Sequence, residues 1–368
     1  MKEKTFSLVT TTINVPRLLE AYAKDAREHS RKIENFIIVG DRKTPKEVKD
    51  FCEKIQKEIG ISCIYLAPEN QDRYLARWPK FKEFLPWNCI QRRNVGLLYA
   101  YFEGSADIII TIDDDNLLSE KDYFGCHRHV GEEKEISVMH AESGWWNVCE
   151  MLEEARGIPF YHRGHPFSQR WKENGKPVIK RKRGRVMVNA GLWLDDPDVD
   201  ALTRLYFPVR AVRPSPLFKA TLGLDTGTWA PFNSQNTALA REVIPAYFLF
   251  PYIGRYDDIW ASFIIRHIAD FLGDFVTYGA PLVVQKRNPH DYFKDFDAER
   301  FGMEYNDVFL RALRACRLAA RSYGGAFAEI SEQLPAILRK TCKNEGKTAV
   351  VFDEVLEGFT LWSDIFRV

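Results

Sequence analysis

The segment Asp107-Ile108-Ile109-Ile110-Thr111-Ile112-Asp113-Asp114-Asp115 constrains this chain more than any other. Its unbroken apolar run reads as a buried parallel strand, and it ends abruptly in three consecutive carboxylates. Adjacent acids at the end of a buried strand repel one another unless a cation, a hydrogen-bond network or bulk water offsets their charge. Hard divalent ions such as Mg2+ and Mn2+ favour an oxygen-only environment of this kind and share it with substrate phosphates. In open α/β sheets, ligands bind at the carboxyl ends of the strands, where these residues would sit. The rival reading is a solvated acidic turn before the next helix.

The surrounding pattern predicts βαβ units feeding a parallel sheet. Strands are expected over 6–13, 35–40 and 62–66, with a helix over 16–29 between the first two. Thr44 is expected to cap a further helix with Pro45 at its first position, and a helix over 87–103 has Asn88 as its N-cap and Gly104 past its end. The middle, 121–230, is irregular and rich in aromatics, including Gly144-Trp145-Trp146 and Gly191-Leu192-Trp193-Leu194. Loops of this kind over an α/β sheet carry ligand contacts. A helix over 257–272, ended by Gly273, and a strand over 275–284 close a domain of residues 1–295. Periodic segments at 308–323, 326–339 and 350–356 make residues 296–368 a C-terminal helical region. The fold class is thus α/β, with a mixed, mostly parallel sheet flanked by helices.

Lys plus Arg (52) nearly balance Asp plus Glu (51), so no global field steers the protein to nucleic acid. No apolar stretch approaches the ~18 residues of a spanning helix. The charged Met1-Lys2-Glu3-Lys4 runs straight into a strand-like segment instead of a signal-peptide core. Seven cysteines without a CxxC pair read as structural thiols of a cytoplasmic protein, not a disulfide framework or a zinc site.

After the first strand, Thr10-Thr11-Thr12-Ile13-Asn14 replaces a glycine-rich turn, which excludes a P-loop and argues against a dinucleotide fingerprint. Small polar residues such as Thr11 at one strand end, Asp41 at the next and an acidic triplet at a later one suit a nucleotide-sugar site. Asp41 also reads as a plain turn residue. Arg93, in Arg92-Arg93-Asn94, can reach a diphosphate or act as countercharge to the carboxylates. Asp257 and Asp258, in Gly254-Arg255-Tyr256-Asp257-Asp258-Ile259-Trp260, either complement the helix dipole or bind sugar hydroxyls and act as a general base. The basic run over 172–185 reads as a solvated loop; otherwise it contacts an anionic acceptor, a phosphate or a membrane surface. His127 and His129 read as structural, whereas His162 and His165 flank Arg163.

In order along the chain, Phe36-Ile37-Ile38-Val39, Thr111-Ile112-Asp113-Asp114-Asp115, Arg163-Gly164-His165-Pro166-Phe167-Ser168, Gly191-Leu192-Trp193-Leu194 followed by Pro197-Asp198 and Asp200, and Gly254-Arg255-Tyr256-Asp257-Asp258-Ile259-Trp260 resemble the reversibly glycosylated polypeptides of plants, which act as UDP-arabinopyranose mutases. More loosely, the chain resembles glycosyltransferases of the GT-A fold. The resemblance implies a UDP-sugar donor and Mn2+ or Mg2+ held by Asp113 and Asp115, with Asp114 supporting them or binding ribose. It places Arg163 at the family's glycosylated arginine, although a guanidinium is a poor nucleophile and could instead pair with the diphosphate; Asp257 and Asp258 join it as catalytic candidates. Arg255 and Trp193 are expected among the sugar-nucleotide contacts, with the loops around Trp145, Trp146 and Trp193 stacking on an acceptor. The chain departs from the family at His165, in place of Tyr, and at Gln285, in place of a His completing the metal shell. Gln285, His290 or water would then fill that position. Three readings stay open: a mutase, a transferase to a carbohydrate, lipid-linked or protein acceptor, and a non-catalytic UDP-sugar-binding scaffold. Homo-oligomerisation is compatible with each.

Overall fold

The structure, a computed structural model, describes residues 3–119, 121–171, 177–218, 221–287 and 291–367. Twelve strands join in one sheet: β1 (Thr5–Thr12), β2 (Lys32–Gly40), β3 (Cys63–Leu66), β4 (Ile108–Ile112), β5 (Asn116–Leu118), β6 (Glu133–His140), β7 (Leu152–Glu154), β8 (Val178–Asp195), β9 (Ala211–Pro214), β10 (Leu222–Leu224), β11 (Asn236–Ala240) and β12 (Phe275–Gln285). The main path runs β3-β2-β1-β4-β11-β8-β6-β10-β12-β5. Its first four strands are parallel; β11 runs antiparallel to both β4 and β8, and β12 lies parallel to β8. Strands β1, β2, β4 and β12 therefore all end at the same edge.

Every residue of β4 is buried in the core, with β1 and β11 flanking it. That position explains its unbroken isoleucines, since a strand with no solvent face needs no alternation. The helix Arg93–Phe102 lies tightly across β1 and β2. Gly96 permits the approach: a Cβ there would sit 2.6 Å from Val9 and 2.7 Å from Val39. The helix Asp257–Leu272 has the expected bounds, and Gly273 ends it in the left-handed region at φ 75°.

Several expectations need correction. Asn88 (φ 59°) is left-handed and precedes a 3-10 turn, so the helix begins at Arg93 and not at residue 87. Thr44 caps nothing, since its helix starts at Glu47; instead its Oγ1 accepts from Asp41 N (2.7 Å) and donates to Thr12 O (2.6 Å), tying the ends of β1 and β2 together. The described part of the basic run is strand, not loop: Val178–Arg185 forms the first half of β8, paired with β6. Backbone pairing along Glu133–His140 supplies the reason, and the acidic residues of β6 lie beside its cations, with Arg183 meeting Glu133 at 2.9 Å and Arg181 meeting Glu135 at 3.3 Å.

The C-terminal helices are Tyr292–Ala315, Tyr323–Asn344 and Asp353–Phe366. The expected boundary between residues 295 and 296 falls inside the first of them. These helices join the same apolar core as the sheet: Trp260 stacks on Phe309 at 4.1 Å between ring centroids, and Trp362 Nε1 donates to Pro245 O (3.0 Å). No described helix is long and apolar enough to cross a membrane, and all seven cysteines are free.

Candidate active site

The shared edge of β1, β2, β4 and β12 opens into a cavity of about 350 Å³. Thr11 and Asp41 line it from the first two strand ends, Asp113, Asp114 and Asp115 from β4, Gln285 from β12, and Arg255, Asp257 and Asp258 from the start of the helix Asp257–Leu272. Sites of this size at strand carboxyl ends are where small ligands bind in α/β proteins. Arg93 and Arg163 complete the group that the sequence predicted and the fold brings together.

The three aspartates have distinct surroundings. Asp113 accepts from Arg93 Nη2 at 2.6 Å, and Arg93, itself 1% exposed, also reaches Thr11 Oγ1 (3.2 Å) and Ser234 Oγ (2.6 Å). Arg93 thus pairs with Asp113 while still lining the cavity. Asp114 accepts from Thr12 Oγ1. Burial, and after it the charge of Asp113, push the Asp115 carboxyl up to about 6. Asp115 Oδ1 is buried without a hydrogen-bond partner among the described residues, a state that favours a cation. No three His, Cys, Asp or Glu side chains form a ready-made metal cage among the described residues.

Gln285 does not read as a metal ligand. Its Oε1 accepts from Gln235 Nε2, and Arg287 Nη2 lies 3.4 Å away, so the two lone pairs of the amide oxygen already face donors. His290 lies outside the described residues.

A second layer joins the helix start to the segment that follows β8. Arg163 donates to both oxygens of Asp198 (3.0 and 2.9 Å) and through Nη1 to Asp258 Oδ1 (3.1 Å). Burial alone would raise the Asp198 carboxyl, yet the charge of Arg163 outweighs it and holds the group well below the usual carboxylate range. Burial opposes the charge on Arg163 as well, and Asp198 and Asp258 together reverse that, keeping the guanidinium protonated. Such a side chain is braced and non-nucleophilic. Asp258 also accepts from Ser234 N (2.9 Å), which ties it back to Arg93. Asp257 accepts from Gln91 Nε2 (2.9 Å); burial, then the neighbouring Asp258, push its carboxyl up to about 7. Gly254 (φ 63°) allows this turn, because a Cβ there would lie 1.8 Å from Ala298 O.

The aromatic segments do not reach the cavity, and Gly191-Leu192-Trp193-Leu194 belongs to the end of strand β8 and not to a loop. Trp193 is 1% exposed and packs on His162 at 5.6 Å; Trp145 packs on Phe263 at 5.8 Å and Trp229 at 6.1 Å; Trp146 is likewise buried. These large rings build core, which is where such apolar area contributes most. His127 and His129 are buried and structural, as expected. Conversely, the sequence reading assigned no role at the site to Asp198, Ser234, Gln235 or Arg287, all of which line it. The polar triplet Asn233-Ser234-Gln235 directly before buried β11 was the available signal.

A profile of the family described as "Reversibly glycosylated polypeptide" matches residues 97–367. The chain belongs to this family. A Pisum sativum relative named probable UDP-arabinopyranose mutase 1 is 30% identical over 246 residues, covering 64% of this chain and 63% of that protein. Arabidopsis thaliana UDP-arabinopyranose mutase 1 is 30% identical over 228 residues, covering 60% and 59%. The match thus spans less than two thirds of the length of these family members. Among solved structures, a glucosyl-3-phosphoglycerate synthase from Mycobacterium tuberculosis with Mn2+, UDP and glucosyl-3-phosphoglycerate aligns at a TM-score of 0.42 and 12% identity, covering 83% of this chain and 79% of that one, a likeness too slight to bear on function.

Proposed function

We propose that this family member is a metal-dependent UDP-sugar enzyme that breaks the bond between the anomeric carbon of the sugar and the diphosphate. The observation that carries the reading is the Arg93–Asp113 pair beside an unpartnered oxygen of buried Asp115 at the carboxyl end of β4. Relatives named as UDP-arabinopyranose mutases support UDP-arabinopyranose as the first donor to test.

Asp113 and Asp115 suit Mn2+ or Mg2+, because ions of this class take one or two carboxylates and fill their remaining positions with substrate phosphate oxygens and water. When bound, such an ion would supply neutralising charge to the diphosphate. The protein's own groups do the rest. Arg93 fixes Asp113, and Thr12 fixes Asp114. Arg255 and Arg287 line the cavity and present positive charge where the departing diphosphate becomes more negative, the kind of stabilisation that usually contributes most to catalysis. Thr11 and Asp41 sit at the strand ends suited to the uridine. Arg163, protonated and held by two carboxylates, positions Asp258 and is not the attachment point for the sugar. The sugar then returns to the diphosphate in a new ring form or passes to an acceptor.

Incubation with UDP-arabinopyranose and Mn2+, with and without carbohydrate acceptors and with the products resolved by chromatography, tests this function. UDP-arabinofuranose or free UDP is expected; donor recovered unchanged in every arm overturns it.

A further inference from the structure

A mutase needs one substrate cavity, whereas a transferase needs two. A second cavity of about 610 Å³ adjoins the first, and Gln285 and Arg287 line both. The wall between them is ordered by ion pairs: Arg287 Nε lies 3.2 Å from Asp196 Oδ2, and Asp196 also pairs with Arg204. Ala155, Arg156, Arg210 and Lys286 form much of the outer lining.

The charge of this lining identifies what it would take. Its carboxylates are already matched, Glu154 by Arg156 (3.2 Å), Asp195 by Arg210 (2.8 Å) and Asp196 by Arg287. Paired guanidinium and carboxylate groups still have hydrogen-bonding positions for hydroxyls. Lys286 adds an ammonium group with no ion pair among the described residues, so the lining carries a net positive charge. Among the described residues no aromatic side chain lines it, which sets it apart from the acceptor platform that the tryptophans suggested.

We infer that this second cavity is an acceptor subsite for a polyhydroxylated molecule bearing an anionic group, a sugar acid or a sugar phosphate, and that the protein transfers its sugar there. The inference rests on the UDP-sugar reading of the first cavity. In the transfer, an acceptor hydroxyl oxygen bonds to the anomeric carbon, the bond from that carbon to the diphosphate oxygen breaks with its electron pair, and the hydroxyl proton leaves with the released UDP.

The full-length protein would be given UDP-arabinopyranose, Mn2+ and, in separate arms, glucose, glucuronate or glucose 6-phosphate, with UDP release measured. UDP binding would be followed in parallel by calorimetry. Saturable, acceptor-dependent UDP release with glucuronate or glucose 6-phosphate and little with glucose is expected, and the better of the two names the source of the anion. Ala155→Trp places bulk in the outer lining from an exposed position, away from the donor cavity. It should raise the acceptor KM tenfold or more while the UDP affinity stays the same. Ring-form conversion of the donor without acceptor-dependent release overturns the acceptor subsite and leaves the donor reading intact, as does a wild-type acceptor KM in Ala155→Trp or a preference for glucose. Absence of UDP binding removes the donor reading and this inference together.

Discussion

Arginine–carboxylate pairs occupy two settings in this molecule, and the same chemistry has different consequences in each. At the strand ends, Arg163 with Asp198 and Asp258, and Arg93 with Asp113, bring buried or half-buried partners together around a cavity. Along β6 and β8, Arg183 with Glu133 and Arg181 with Glu135 lie in solvent. Water screens the second set, so each pair contributes little and its members are interchangeable with other polar residues. The first set lacks that screening: removing one partner strands a buried charge, and the arrangement persists only when every member is present. Ion pairs thus mark the functional centre by their burial and not by their number.

The largest effect expected from breaking this contrast comes from Arg163→Ala. It leaves Asp198 and Asp258 buried without their shared cation, which should lower the stability by about 3–5 kcal/mol, read as a fall in the urea midpoint. A loss below 1 kcal/mol would mean that the layer is not the brace described above. Next is Asp115→Asn, which removes a charge that burial and Asp113 oppose more than Arg287 and Gln285 favour it, with one oxygen unpartnered among the described residues. Its unfolding midpoint should stay level or rise, while donor turnover falls ~10²-fold, the usual size of a lost electrostatic contribution to catalysis. Equal losses of stability and activity would make Asp115 a structural residue.

These differences also explain which features could be read from the sequence. The isoleucine strand ending in acids, and the helix Asp257–Leu272 with Gly273 behind it, are continuous patterns whose causes lie within a few residues. Their positions and their meeting at one cavity followed from the α/β order. The strand Val178–Arg185 was hidden because its pairing partner β6, and the acids Glu133, Glu135, Asp225 and Asp274 that meet its cations, come from distant stretches of chain; locally it shows only a basic run. The tryptophans misled for the opposite reason, since an aromatic residue beside glycine looks the same whether it will line a site or fill a core. Asp198 was visible only as part of the family resemblance, without a role, because an acid after Asp195-Asp196-Pro197 resembles any polar turn until Arg163 is folded onto it.

A pH titration sharpens the comparison within the buried set. Asp257, raised to about 7 by burial and by Asp258 against the opposing influence of Arg163 and Gln91, should oppose folding increasingly as pH rises from the unfolded carboxylate value of ~3.9 to about 7. Asp198 has the opposite sign: its depressed carboxyl stabilises the fold above ~3.9, and that contribution is lost as pH falls below that value. Asp257→Asn should therefore flatten the stability profile between pH 4 and 7 and leave the acid limb in place. If the variant keeps the wild-type slope across that window, the raised carboxyl belongs to another group.

The smallest effect belongs to the exposed set. In a double-mutant cycle with Arg183→Ala and Glu133→Ala, the coupling should lie at about 0–1 kcal/mol and fade as salt is raised. The expectation follows from exposure, because both side chains remain more than half accessible while paired at 2.9 Å. Backbone pairing between β6 and β8 holds the strand whether or not the charges are present. A coupling that survives high salt, or one comparable to the Arg163 loss, would mean that this edge is covered in solution and would erase the distinction between the two settings.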